Sequence, residues 1–179
     1  MLNSLRFAVA SIALALLAGC LTHHYGDARL QENSDAFTIT TDRLNFRPVP
    51  LDRAATHVLR ARDLPMPLYP THLLVPITPT EAERKENLPW AKTRLRIEFR
   101  ALDGTVFFAK EVSLADAQPG RSPGTRHQLE LPFRPVARQS WKAAENTPHH
   151  MSYDVVVTVL EPSLNRIHRA TLYADTYVR

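Results

Sequence analysis

Eight prolines fall between Asn45 and Pro89, at positions 48, 50, 65, 67, 70, 76, 79 and 89. A ring that fixes φ and removes a backbone donor is not tolerated inside a long helix or a hydrogen-bonded central strand. This stretch is therefore limited to short strands, turns and edges. Two apolar pieces remain between the prolines, His57-Val-Leu-Arg-Ala61 and His72-Leu-Leu-Val-Pro-Ile77. The second is the better strand, and Pro76 places it at a sheet edge. Thr78-Pro79-Thr80-Glu81 starts a short polar helix over 79–87 on the surface, with Thr78 as cap, Pro79 at the first helical position and Glu81 closing the box.

The rest of the chain alternates in period two. Leu95, Ile97, Phe99 and Ala101 point one way, and Arg94, Arg96, Glu98 and Arg100 the other. Asp103-Gly104 predicts a two-residue turn of the primed type. That turn sets Phe99 opposite Phe108, Leu95 opposite Val112, Ala101 opposite Val106 and Lys110 opposite Ile97. Phe37–Thr40 and Gln128–Phe133 alternate as well. Tyr153–Leu160 is β-rich on both faces and so central in its sheet, with Arg169–Val178 returning beside it. The stretch 118–125 is a turn-rich loop, and 136–146 is a helix or an irregular crossover. Short strands, many prolines and few helical patterns predict an antiparallel β-sandwich.

Of 179 residues one is Cys, so no internal disulfide and no Cys-rich metal site can form. Charge is +4, but 22 basic and 18 acidic residues are interspersed, which describes a solvated surface and no nucleic-acid partner. There is no His-Glu-x-x-His and no calcium loop. His149 and His150 are adjacent, and neighbours on a strand point to opposite faces, so we expect no metal and no cofactor. We expect no catalytic residues and no enzymatic activity. Trp90, Trp141 and Tyr153 are the candidate binding residues, because interfaces favour aromatic anchors.

The first residues set the address. One positive charge, Arg6, precedes an apolar run of eleven, Phe7 to Leu17, too short to span a bilayer. Leu17-Ala18-Gly19-Cys20 follows. This resembles the lipobox of bacterial lipoproteins. The resemblance implies cleavage between Gly19 and Cys20, lipid on Cys20, and a membrane as the first partner. Leu21, where inner-membrane lipoproteins of enteric bacteria carry Asp, implies the outer membrane and a periplasm-facing domain. The expected organisation is a signal peptide over 1–19, lipidated Cys20 with a polar tether over 20–35, and a β-sandwich over 36–179. A flexible tether of that length averages about 20 Å.

The carboxy-terminal quarter, Tyr153 to Tyr173, resembles small single-domain β-sandwich lipoproteins of Gram-negative bacteria. That resemblance implies a non-catalytic module with a protein partner. Some lipoproteins of this appearance serve as immunity proteins against secreted toxins, and others as structural envelope components.

Overall fold

A computed structural model describes residues 22–33, 41–64, 69–76, 92–119, 128–133, 150–163 and 169–177. The strands are Thr22–Tyr25 (β1), Ala28–Asn33 (β2), Thr41–Phe46 (β3), Val49–Pro50 (β4), Thr56–Leu64 (β5) and His72–Pro76 (β6). They continue with Arg94–Arg100 (β7), Val106–Ser113 (β8), Gln118–Pro119 (β9), Gln128–Pro132 (β10), Met151–Glu161 (β11) and Arg169–Tyr177 (β12). They form two antiparallel sheets, a β-sandwich as the alternation predicts. The larger runs β1-β2-β3-β12-β6-β10-β9, with β4 also on β12, and the smaller runs β5-β11-β7-β8. Among the described residues no helix is long and apolar enough to cross a membrane.

The core lies between the sheets because each strand turns one set of alternate residues inward. Leu44, Phe46, Leu73, Leu129 and Leu172 come from the larger sheet, and Leu59, Leu95, Ile97, Val155 and Val157 from the smaller. β11 is central, flanked by β5 and β7, which explains why its other face is also apolar at Val156.

The β7–β8 register places Leu95 opposite Val112, Ile97 opposite Lys110 and Phe99 opposite Phe108. The turn differs from the primed type. Gly104 N–H donates to Ala101 O at 2.9 Å, Ala101 N–H donates to Thr105 O at 2.9 Å, and only Gly104 has positive φ, +87°. A primed turn of this kind needs positive φ at both centres. The loop is a type I turn closed by Gly104, so Val106 faces Arg100 instead of Ala101 and Phe107 is an extra residue in its strand. The bulge lets two consecutive residues, exposed Phe107 and half-buried Phe108, reach one aromatic cluster. Phe107 and Phe108 both meet the Phe99 ring, at 6.0 and 5.5 Å, where Tyr69, Phe133 and Tyr153 also gather.

Three further expectations are corrected. The tether assigned to 20–35 contains the β1–β2 hairpin, so the sandwich begins by Thr22, ahead of residue 36. β6 lies inside its sheet between β12 and β10, and its Pro76 is the last strand residue, where a missing donor interrupts nothing. β12 does not return beside β11 but crosses to the opposite sheet, between β3 and β6. The helix expected over 79–87, the strand at 37–40 and the segment 136–146 lie outside the described residues.

Candidate functional site

Alternation along β12, β6 and β10 sends Tyr173, His72 and Glu130 to the outward face of the larger sheet. There they form one polar cluster. The His72 ring stacks on Tyr173 at 4.9 Å, and Arg43 from β3 sits 5.1 Å over the other partner's ring, Tyr173. Tyr173 OH donates to Glu130 Oε1 at 2.6 Å, and His72 Nε2 lies 3.4 Å from the same oxygen. Tyr173 is only 3% exposed despite facing outward. His72 Nδ1 is 2.9 Å from Thr71 Oγ1. Hydroxyl, imidazole and carboxylate thus stand in the order of a nucleophile, base and orienting group. An acyl-transfer site also needs free backbone donors beside the nucleophile. The Thr71 amide is spent on Tyr173 O at 3.0 Å, and Phe133 N–H on Thr71 O at 2.7 Å.

A second polar group occupies the rim. His150 Nδ1 lies 3.2 Å from Asp63 Oδ1, and Ser152 Oγ accepts from Asp63 N–H at 2.9 Å. Asp63 has a positive φ of 55°, a conformation uncommon outside glycine that aspartate adopts more readily than most side chains. Ser152 serves the Asp63 backbone in this arrangement, where the β5–β11 register shifts between Met151 and Tyr153.

Gly120-Arg121-Ser122-Pro123-Gly124 has the Gly-x-Ser-x-Gly spacing of a nucleophile elbow, inside the segment read above only as a turn. That elbow draws an oxyanion donor from the amide after the serine. Here that residue is Pro123, which has no N–H. The segment itself lies outside the described residues. Among the described residues no three His, Cys, Asp or Glu side chains gather as a metal site.

The smaller sheet presents ion pairs outward. Glu98 receives Arg96 Nε at 2.7 Å and Arg100 Nε at 3.0 Å. The Arg100 hydrogen bond, ahead of the opposing effect of burial, holds the Glu98 carboxyl below its ordinary range. Arg94 bridges Glu111 at 2.8 Å and Glu161 at 3.0 Å. The arginine row is therefore spent on carboxylates, as expected for a solvated face. At the sheet's margin β8 pairs with β7 alone among the described strands. Val106 and Phe107 on it are exposed, as is Leu102 in the preceding loop.

Of the sequence-derived binding candidates, Tyr153 is buried at 0% exposure, packed against Tyr69 at 5.1 Å and Phe99 at 5.7 Å. It lies on the inward phase of β11 with Val155 and Val157, so it is a core residue and no surface anchor. Trp90, Trp141, Gly19 and Cys20 lie outside the described residues. Sequence reasoning missed Leu102, Val106 and Phe107, because an apolar residue beside a turn reads equally as core or surface. No protein-family model matches this chain. No curated protein matches it either.

Proposed function

We propose that this chain is a lipoprotein of the outer membrane, held through lipid on Cys20 and facing the periplasm, whose sandwich binds a protein partner without catalysis. Leu17-Ala18-Gly19-Cys20 supports the anchor. The observation that carries the binding role is the β8 margin. Its backbone is paired on one side only among the described strands, and most of Val106–Ser113 is exposed. Such an edge presents a row of backbone donors and acceptors that a partner strand can extend. The spent Thr71 amide and the missing Pro123 N–H support the non-catalytic part of the reading.

A photo-crosslinking side chain at Ala109 or Glu111, in cells, tests it. A discrete adduct at these positions and none at Arg169 is the expected result. Equal labelling at all three contradicts the edge. Turnover of an ester, phosphoester or peptidoglycan substrate, abolished by His72→Ala, contradicts the non-catalytic assignment.

A further inference from the structure

The lipid anchor proposed above, on which this inference rests, has almost no slack. Cys20 and Thr22 are two residues apart, so their α-carbons are separated by about 7 Å at most, and Thr22 already pairs with Gln31 in the sheet. The end of the sandwich that carries Thr22 must therefore lie at the membrane.

The registers identify that end. Thr22 is in one row with Gln31, Arg43 and Asp175. Asp175 lies two residues past Tyr173, which pairs with His72 at the start of β6. Just before β6, the Tyr69 ring contacts Phe107 at 5.7 Å. A second route agrees. Gly26 bridges Ala61 in antiparallel sense, so β1 runs back from there toward the Leu64 end of β5. Leu64 pairs with Met151, and that end of β11 lies beside Arg100, where β7 enters its hairpin loop. Thr22 and the β7–β8 loop thus share one end of the sandwich.

Among the described residues, that loop and the start of β8 carry three of the five exposed large apolar side chains, Val58 and Leu160 lying elsewhere. Leu102 is 64% exposed, Val106 46% and Phe107 39%. Asp103 at the tip accepts from Thr105 N–H at 2.9 Å, and Leu102 beside it is the most exposed large apolar side chain among the described residues. β8 and β5 are the two margins of a four-stranded sheet, about 15 Å apart at ordinary strand spacing, with β1 and β2 beside β5.

We infer that Leu102, Val106 and Phe107 form a second membrane contact, entering the headgroup–acyl boundary of the same leaflet as the lipid on Cys20. Two contacts separated by the width of a sheet fix an orientation that one point of attachment cannot. The strands stand upright on the bilayer, and the β8 edge runs from the surface outward.

The test uses the full-length acylated protein in vesicles of phosphatidylethanolamine and phosphatidylglycerol. A nitroxide is attached to Leu102→Cys or Val106→Cys, with Arg53→Cys, exposed at the far end, as reference; acylated Cys20 offers no thiol. Flotation and intact mass establish acylation in the same samples. The expected result is a several-fold higher ratio of oxygen to aqueous nickel-chelate collisions at 102 and 106 than at 53. Equal ratios in a protein that floats and is acylated overturn this inference alone. A bare Cys20 thiol overturns the anchor reading and this inference with it.

Discussion

Gly26 rests against the carbonyl of Arg60: a β-carbon on residue 26 would stand 2.5 Å from that oxygen. The contact docks the β1–β2 turn on the outer edge of β5 and closes one side of the sandwich. Asp27 completes the joint. Its N–H donates to Arg60 O at 2.7 Å, and its carboxylate accepts from Arg60 N–H at 2.9 Å and Arg47 Nε at 3.2 Å. The free edge of β5, otherwise open to pairing, is satisfied there.

Gly26 also holds φ at +71°. Gly26→Ala adds the backbone clash to a left-handed conformation that costs about 1–3 kcal/mol for a side chain. The urea midpoint of the variant should fall accordingly. An unchanged midpoint would mean that the turn is not seated on β5.

Tyr153 separates core from surface roles. Tyr153→Ala opens a cavity beneath Phe99 and Tyr69, at a cost of about 3–5 kcal/mol in a domain of ordinary marginal stability. Thermal unfolding should show a loss of that size. A variant as stable as the parent would return Tyr153 to the surface.

Legibility in sequence followed the physics of alternation. In β7 and β8 a charged and an apolar phase set the register of Leu95, Ile97 and Phe99 correctly, because a slip of one residue would bury arginines. Alternation assigns faces and not sheets, so Ala170, Leu172 and Ala174 fitted either inner surface and β12 was given the wrong neighbour. The β1–β2 hairpin shows only Ala28 and Leu30 as buried apolar residues, too few to stand out in a polar stretch. Its signal was Gly26-Asp27 between extended segments, a two-residue hairpin connection. The cluster around Tyr173 was illegible, since Arg43, His72, Glu130 and Tyr173 come from four strands.

His57 makes the fold sensitive to mild acid. Its Nε2 is buried without a hydrogen-bond partner. Burial first, then the Arg47 and Arg53 guanidiniums, hold the imidazole below its ordinary value, against a smaller upward pull from Asp52. A lowered value means that the unfolded chain takes up the proton first, so stability falls as pH drops below about 6.5. His57→Gln should gain melting temperature relative to the parent between pH 7 and pH 5. Parallel profiles would place His57 in water.

Glu98 acts in a lower window. Its carboxyl value is depressed, chiefly by Arg100, so it stabilises the fold above the ordinary carboxylate range and loses that contribution as pH falls through its folded value. Glu98→Gln should be less stable than the parent at neutral pH, and the two should converge on acidification. A constant difference at every pH would contradict the Arg96–Glu98–Arg100 pairing.

The most direct measurement of the account is the intact mass of the mature protein extracted from membranes. The prediction is a chain beginning at Cys20 and carrying a thioether-linked diacylglyceryl group and an amide-linked acyl chain. A mature chain with a bare thiol at residue 20, or one that begins elsewhere, would contradict it.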